Sequence, residues 1–470
     1  MPEFHAEPFL QLAGLTHKSA LIAWGAFYFK VKDSDGKFKL VDDDDLKHVH
    51  PPRHQTIGAR SEPYGDARVE VLNGAGKIVA SASTHTTNFC WLAGLEPDTE
   101  YTYRVIVNGE EWGRGERRDW VERNGKMGLN LIGNSYDNRF RTHPDPTQPS
   151  PEPLTFAVFG DYGTGIKKKD RPQGKVATVL KKAVDKNNVR LILTTGDNIY
   201  AGKKFLGLPV GDEGDEDDDW YFTYYQPYRY IINRVPVYPC IGNHDASESE
   251  DKDDRAQVVD NLYLDQRIAG EEAAGRASVD PGLFYRFRYG SEIEFICIDT
   301  SKEPDVFKGG RLFQHPKHLE FLKMALPDQG GALNPSPAWR IPFSHHPPFS
   351  AGPMHHNTKE MTEIVEMFQR AGVRIAFNGH EHNFQHSRAN GIDYFVTGAG
   401  GKLRKETPDK FTKAHTVSWC AANHFLLVTI DDKQATVRPI GGVAGSGFSE
   451  IKRLNPDGGE VTDSIVIALG

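Results

Sequence analysis

The chain has 470 residues, of which 38% are hydrophobic and 11% aromatic, and this predicts a globular protein of two domains. Its formal net charge of −8 argues against nucleic acid as a stable partner, because such proteins carry a basic surface. No apolar stretch approaches the ~20 residues that a membrane span needs, and none of the four cysteines forms a Cys-x-x-Cys zinc or dithiol motif.

Residues 1–145 are predicted to form an all-β domain. An apolar run at 20–24 and period-two alternation at 67–71 indicate strands, and Asn73-Gly74 predicts the turn after the second one.

The clearest strand of this domain is expected within residues 95–105. Its alternation places Tyr101, Tyr103 and Val105 on one face. The stretch Leu-x-Pro-x-Thr-x-Tyr-x-Tyr-x-Val resembles the corner before a late strand of a fibronectin type III sandwich. In that fold a tyrosine hydroxyl forms a hydrogen bond with the backbone of the corner.

The polar stretch 31–66 is predicted to be a loop insertion in this domain. His48, His50 and His54 lie in it, and a solvated loop is favoured over a separate metal site. The acidic run 212–219 does not have the spacing of an EF-hand, so a solvated loop is favoured over a calcium site there as well.

Residues 146–154 are predicted to be a semi-rigid linker because they are rich in proline. From 155 to 470, apolar strand-like runs alternate with helix-like segments, which predicts an α/β domain. Strands are expected at 155–159, 191–195, 283–288, 292–298, 373–377, 392–397 and 425–430. Helices are expected at 173–186, 219–233, 315–325 and 357–371.

Five short motifs in this second domain contain residues of the types that bind metals in proteins. Four of them come directly after an apolar run, and ligands of α/β sheets bind at the carboxyl ends of strands. The motifs are Gly-Asp-Tyr-Gly at 160–163, Gly-Asp-Asn-Ile-Tyr at 196–200, Gly-Asn-His-Asp at 242–245, Ser-His-His-Pro at 344–347 and Gly-His-Glu-His at 379–382.

Together the motifs offer carboxylate, phenol, amide and imidazole donors sufficient for two metal ions. A paired metal site can hydrolyse phosphate esters. The seven donor residues are Asp161, Asp197, Tyr200, Asn243, His345, His380 and His382.

The five motifs, in this order over residues 155–430, resemble the motifs of the calcineurin-like metallophosphoesterases and, more narrowly, those of the purple acid phosphatases. Tyr200, three residues after Asp197, is their most discriminating residue, since other branches usually lack a tyrosine there. The resemblance implies a four-layer α/β/β/α metallophosphoesterase sandwich at 155–470. An all-β, fibronectin type III-like sandwich at 1–145 would precede it.

The resemblance also implies a division of the ligands. The first ion would take Asp161, Asp197, Tyr200 and His382, and the second would take Asp197 as a bridge with Asn243, His345 and His380. A phenolate and carboxylates suit Fe(III), whereas amide and imidazole donors suit a divalent iron, zinc or manganese ion.

His346 is the rival of His345 as a ligand. His345 is favoured because Pro347 keeps the His-x-Pro register of the family, although Pro342 stands where the family has valine.

His244 is expected to act as general acid, since protonation of the leaving group needs a donor that titrates near the working pH. The alternative is a packed histidine that supports the loop. Asp245 is expected either to orient His244 or to cap the next helix.

The resemblance implies that His355 and His356 face the substrate phosphate. An exposed polar loop is the alternative. Asn243 and His244 are expected to contact the substrate too.

The predicted function is hydrolysis of phosphate monoesters by a metal-bound hydroxide, as in an acid phosphatase that acts on small phosphorylated substrates. A phosphodiesterase acting on nucleotides or lipid head groups is the alternative enzyme. An adhesion or carbohydrate-binding protein without catalysis is the alternative of another class.

The resemblance favours a secreted or periplasmic location. Residues 1–5, however, lack the charged and apolar regions of a signal peptide. They fit either a cytoplasmic start or a start from which a signal has been removed, and the oligomeric state stays open.

Overall fold

The computed structural model describes most of the chain, and the fold is reported for these residues. The described ranges are 4–32, 37–40, 63–114, 117–123, 126–132, 136–165, 172–200, 204–205, 208–209, 220–246, 255–267, 283–302, 310–329, 336–441 and 449–469.

The chain divides into two compact units. The first contains Met1–His143, Tyr228–Pro236 and Asp260–Ala273, and the second contains Pro144–Pro227, Val237–Val259 and Ala274–Gly470. The expected bounds of the two domains and of the linker stay predictions.

The first unit is all-β in its described N-terminal part, as expected. Its strands are β1 (Phe4–Leu15), β2 (Ser19–Lys32), β3 (Lys37–Leu40), β4 (Ala67–Leu72), β5 (Ile78–Thr84), β6 (Phe89–Ala93), β7 (Glu100–Val107), β8 (Glu110–Glu111), β9 (Arg117–Arg123), β10 (Lys126–Ile132) and β11 (Arg139–Arg141).

Two of its sheets share one core. One sheet runs β1-β2-β3 with β6 beside β2, and the other runs β11-β7-β4-β5 with β8 beside β7. Trp24 of the first sheet and Val69 and Tyr103 of the second belong to the same buried cluster. The two sheets therefore pack as a sandwich.

The predicted face of β7 is confirmed. Tyr101, Tyr103 and Val105 are buried, whereas Glu100 is exposed. The backbone N–H of Glu96 donates to the hydroxyl oxygen of Tyr101 at 2.9 Å, which is the corner contact expected from the sequence.

The stretch 31–66 is not entirely a loop. β2 continues to Lys32, and β3 pairs with its end so that Phe29 lies opposite Leu40. The alternating Lys-Phe-Lys-Leu of β3 fits a strand. The polar residues around it in the sequence led to the prediction of a loop. His48, His50 and His54 lie outside the described residues, and so does the acidic run 212–219.

The second unit contains the remaining strands. They are β12 (Leu154–Phe159), β13 (Val189–Thr194), β14 (Lys204–Phe205), β15 (Leu208–Pro209), β16 (Val237–Pro239), β17 (Tyr285–Tyr289), β18 (Ile293–Ile298), β19 (Trp339–Ser344), β20 (Ile375–Asn378), β21 (Phe384–Ala389), β22 (Ile392–Thr397), β23 (Thr416–Cys420), β24 (His424–Ile430), β25 (Gln434–Gly441), β26 (Arg453–Leu454), β27 (Glu460–Val461) and β28 (Ile465–Ala468).

In the order of the described chain, helices lie between these strands. They are α1 (Pro172–Lys186), α2 (Gln226–Ile232), α3 (Arg255–Asn261), α4 (Pro316–Ala325) and α5 (Lys359–Arg370), with a π-helical turn at Tyr221–Tyr225 and a 3-10 turn at Leu312–Gln314. None of them is long and apolar enough to cross a bilayer.

Two sheets form the centre of this unit. One has the order β16-β13-β12-β24-β25-β28, and the other has the order β17-β18-β19-β20-β22-β21-β23-β26-β27. Their facing sides share one buried cluster, in which the rings of Phe156 and Phe295 meet edge to face at 5.2 Å.

Helices cover the outer faces of both sheets. The apolar side of α5 recurs at helical spacing and packs with α4 against Ile296 and Ile298 of β18. On the other sheet, α1 lies beside β13 and β24 and buries Val176 and Leu180. The four-layer α/β/β/α architecture predicted from the sequence is confirmed.

β19 was missed from the sequence because Pro342 argues against a central strand. The structure places it between β18 and β20. Its pairing with β20 begins only at Phe343, which lies opposite Phe377. The missing N–H of Pro342 is therefore not needed on that side.

Candidate metal centre

The predicted donors follow strands whose carboxyl ends lie at one edge of the second unit. Asp161 follows β12, Asp197 follows β13 and Asn243 follows β16. In the other sheet, His345 directly follows β19 and His380 comes two residues after β20. Because β12, β13 and β16 are parallel, as are β19 and β20, the topology brings these side chains together.

Three of these donors have a left-handed backbone. Their φ angles are 53° at Asp161, 51° at Asp197 and 74° at His380. Residues with a side chain rarely adopt this conformation, and each costs about 1–2 kcal/mol. Such strain clusters at functional sites, where the surrounding structure maintains it.

Two glycines allow the loops to approach the donors closely. A Cβ at Gly242 would overlap the carboxylate and backbone nitrogen of Asp197, and one at Gly379 would lie 2.6 Å from Asp161 Oδ2. Glycine is therefore required at both positions by the carboxylates.

Asp161, Asp197, His382 and Tyr200 form the first group of donors. One ligating atom from each of the first three lies within 4.8 Å of the others. His382 Nε2 lies 3.4 Å from Asp161 Oδ1 and 3.5 Å from the Tyr200 hydroxyl, which donates to Asp161 Oδ1 at 3.3 Å. These are the four residues that the resemblance assigned to one metal ion.

His345, His380 and Asn243 form the second group. His345 Nδ1 donates to the carbonyl oxygen of Thr195 at 2.8 Å. Its Nε2 lies 2.9 Å from Asn243 Oδ1, 3.1 Å from His380 Nδ1 and 3.5 Å from Asp197 Oδ2. Asp197 thus lies beside both groups, as a bridging carboxylate would.

The second group fits a cation. A carbonyl cannot donate, so the contact with Thr195 makes His345 Nδ1 the protonated nitrogen of a neutral imidazole. The lone pair of Nε2 then faces the amide oxygen of Asn243 and a carboxylate oxygen of Asp197, with an imidazole nitrogen of His380 beside them. A nitrogen lone pair that faces two oxygen acceptors suits a metal ion.

The two carboxylates of the centre have opposite pKa shifts. Burial raises the pKa of Asp161 well above its ordinary value, although the electrostatic interaction with His345 opposes this. Burial acts in the same direction on Asp197, but electrostatic interactions with the surrounding histidines and the hydrogen bond from the backbone of His244 together lower its pKa. A bound cation would offset the cost of burying both as carboxylates.

Two imidazoles of the centre resist protonation. Burial, with the charge of His346, lowers the pKa of His380 well below its usual range. Burial, with the charges of Arg404 and Lys402, lowers the pKa of His382 to about 3. These rings therefore keep a lone pair for a metal in acid, where an exposed histidine is protonated.

The rival His346 lies close to His380, with ring centroids 4.4 Å apart, and it forms a group with His345 and His380 that could hold an ion. Arg311 Nη1, however, lies 3.1 Å from His346 Nε2, which occupies that lone pair. Its Nδ1 lies 3.0 Å from the hydroxyl of Thr300. The hydrogen bonds favour His345 as the ligand.

His244 lies beside the first group. Its backbone N–H donates to Asp197 Oδ1 at 2.9 Å, and its ring centroid lies 4.4 Å from that of Tyr200. The carboxylate of Asp245 accepts hydrogen bonds from the backbone N–H groups of Gly242 and Asn198 and joins their two loops.

The structure separates the two histidines expected at the phosphate. The ring of His355 lies 3.9 Å from that of His380, and burial lowers the pKa of His355 to about 4. His356 is exposed, and its Nε2 lies 3.0 Å from Asp409 Oδ1. Only His355 is brought to the donor groups.

Three charged residues beside the centre were missed from the sequence. Glu381 is buried, and its carboxylate accepts from the backbone N–H of His355 at 2.6 Å and from Arg404 Nε at 2.8 Å. Lys402 places Nζ 4.4 Å from the centroid of the Tyr200 ring. Glu381 lies within the Gly-His-Glu-His motif, where it was given no role. The signal available for Lys402 and Arg404 was the Gly-Ala-Gly-Gly run that follows the predicted strand 392–397.

The chain is similar to known proteins. Residues 154–384 match the family model of the calcineurin-like phosphoesterases. The chain is similar to purple acid phosphatase 17 of Arabidopsis thaliana, with 26% identity over 260 residues that make up 53% of this chain and 69% of that protein. Purple acid phosphatase 3 of the same plant is 27% identical over 268 residues, 54% of this chain and 64% of that protein.

Two solved structures show the same fold. Purple acid phosphatase PPD1 from yellow lupin (Lupinus luteus) seeds aligns with 96% of this chain and 74% of its own, with a TM-score of 0.57 and 15% identity. PhoD aligns with 99% of this chain and 94% of its own, with a TM-score of 0.59 and 13% identity. Residues 154–384 therefore form a calcineurin-like phosphoesterase domain, and the resemblance to the purple acid phosphatases is confirmed.

Proposed function

We propose that this chain is an acid phosphatase that hydrolyses small phosphate monoesters at a centre of two metal ions. The observation that carries the proposal is the arrangement of donors in two adjoining groups with Asp197 beside both. The purple acid phosphatase relatives support a phosphoester hydrolase of this kind. An adhesion or carbohydrate-binding protein would not require buried donors in strained conformations.

The proposed metals are Fe(III) in the first group and a divalent iron, zinc or manganese ion in the second. The phenol of Tyr200 and the two carboxylates are hard donors that suit a trivalent ion. The imidazoles of His345 and His380 and the amide of Asn243 suit a divalent ion. When bound, such ions supply an acidified water as nucleophile and neutralise charge on the phosphate.

We assign proton donation to His244. Its backbone is held by Asp197, so its position is tied to the donor groups. A leaving alkoxide is a strong base, and a positioned imidazolium that protonates it typically gives a rate gain of about 10²–10⁴-fold. Asn243, adjacent in the chain, is proposed to contact the substrate as well as the metal.

We assign phosphate binding to His355 rather than His356. The ring of His355 lies against His380, and its backbone N–H is held by the carboxylate of Glu381. A neutral imidazole still offers one N–H, which can donate to a phosphate oxygen.

A comparison of para-nitrophenyl phosphate with bis-para-nitrophenyl phosphate tests the proposal. The leaving group is the same, so the ratio of kcat/KM reports the preference for monoester or diester. We expect the monoester to be hydrolysed faster at acid pH, and the Asp197→Ala variant to hydrolyse neither. A faster diester reaction would favour the phosphodiesterase alternative, and no reaction with either would favour an inert scaffold.

A secreted or periplasmic location is proposed from the family resemblance alone. Fractionation of cells of the source organism, with detection of the native chain, tests this; recovery only from the cytoplasm would overturn it.

A further inference from the structure

Lys402 is a buried lysine beside the donor groups. It has no role in the proposed mechanism. It is 6% exposed, and its ammonium lies over the face of the Tyr200 ring, 4.4 Å from the centroid. Tyr200 is itself fully buried. The contact is therefore screened little by solvent.

The backbone fixes the position of this lysine. The N–H groups of Gly401 and Lys402 donate to the carbonyl oxygen of Asp161 at 3.1 and 2.9 Å. The side chain of Asn423 donates to the carbonyl oxygen of Lys402 at 2.8 Å. The loop that carries the ammonium is thus attached to a proposed metal ligand.

The Tyr200 ring is one of the groups on which this ammonium acts. A further cation near two metal ions would also repel them. The face of an aromatic ring attracts a cation by about 0.5–2 kcal/mol, and a phenolate, which carries a full negative charge, attracts it more strongly.

We propose that Lys402 is a positioning residue that tunes the iron through Tyr200, by stabilising the phenolate form of that ring when it is bound to Fe(III). This inference rests on the proposed function. The ammonium lowers the energy of the phenolate donor electrons, so the phenolate-to-iron charge-transfer band moves to shorter wavelength. A weaker donor and a nearby positive charge both favour the reduced ion, so the reduction potential of the iron rises.

The test uses the metal-loaded full chain with four proteins: wild type, Lys402→Met, Lys402→Arg and Lys405→Met. Lys405 is the matched control, because it is an exposed lysine three residues further along the same loop. Elemental analysis gives the ions bound per chain. The visible spectrum gives the band, and a spectroelectrochemical titration gives the reduction potential.

We expect Lys402→Met to shift the band to longer wavelength and to lower the potential while two ions stay bound. Lys402→Arg keeps the charge and should remain close to wild type, as should Lys405→Met. A Lys402→Met variant with two ions and a wild-type band and potential would overturn the inference. Equal shifts in Lys405→Met would overturn it too, because the effect would then not be specific to Tyr200.

The failure of this inference can be told apart from that of the proposed iron site. A wild-type protein that binds two ions and shows no visible band contradicts Fe(III) on Tyr200, and the role of Lys402 falls with it. If Lys402→Met does not fold, Lys402→Gln, which is polar but uncharged, allows the same comparison.

Discussion

The rings of His345 and His346 are neighbours in sequence, yet they stand at 89° to each other with centroids 5.0 Å apart. His345 points its Nε2 to Asn243, whereas Nε2 of His346 lies 3.1 Å from Arg311. This divergence predicts different roles for the two residues.

The pair supplies a matched test of ligand assignment. His345→Ala is expected to lose one of two bound ions and most activity, because it removes a donor from the second group. His346→Ala should keep both ions, since its nitrogens face Arg311 and Thr300. Elemental analysis of both variants decides, and loss of an ion only from His346→Ala would reverse the assignment.

The strand-end pattern made most of the centre predictable from the sequence. Apolar runs located the strands before Asp161 and Asp197, and parallel topology then brought their ends together. The left-handed φ of these residues could not be read from the sequence, because it depends on the contacts around them.

Other parts of the centre could not be predicted from the sequence, for physical reasons. Pro342 made β19 hard to predict. A proline is tolerated in this strand because the pairing with β20 begins only after it, and the sequence does not show where that pairing begins. Lys402 and Arg404 belong to no motif, and only the three-dimensional path of their loop brings them beside Tyr200 and His382. Charged residues after a glycine-rich turn more often lie in solvent.

His244→Ala should retain both ions but lose turnover. We expect a loss of about 10²–10⁴-fold in kcat for alkyl phosphates, which need a proton at the leaving oxygen. The loss should be smaller for para-nitrophenyl phosphate, whose leaving group is stable as an anion. Equal losses with good and poor leaving groups would contradict proton donation by His244.

His355→Ala should weaken substrate binding. One hydrogen bond to a charged phosphate contributes about 1.5–3 kcal/mol, which corresponds to a fall in kcat/KM of about 10- to 150-fold. His356→Ala is the control, because this exposed residue pairs with Asp409. Similar kinetics for both variants would remove His355 from the site.

Tyr200→Phe should abolish the visible absorption while leaving the buried ring in place. The hydroxyl lies 3.3 Å from Asp161 Oδ1 and is the atom that would bind iron. Spectra of the two proteins at equal iron content provide the check. A coloured variant would show that the band has another origin.

Below about pH 6.5, the free energy of unfolding of the metal-free protein should decrease as the pH is lowered. Burial lowers the pKa of His318 to about 3, so the folded state binds this proton less readily than the unfolded chain does. The stabilising contribution is complete above about 6.5 and is lost as pH falls towards 3, by up to about 1.4 kcal/mol per pH unit.

His318→Phe should reduce this slope, because phenylalanine keeps the stack on Phe284, whose ring lies 3.9 Å away, but does not titrate. The exposed His315 provides the control variant His315→Gln. Urea unfolding of both at several pH values measures the slopes. An unchanged slope in His318→Phe would show that His318 does not contribute.

The most direct test of the whole account is the number of metal ions per chain in the wild-type protein and in Asp197→Ala, measured together with phosphatase activity. We expect about two ions and activity in the first and neither in the second, because this carboxylate would bridge both ions. A wild-type protein that is active with one ion or none, or an Asp197→Ala variant that keeps two ions, would contradict it.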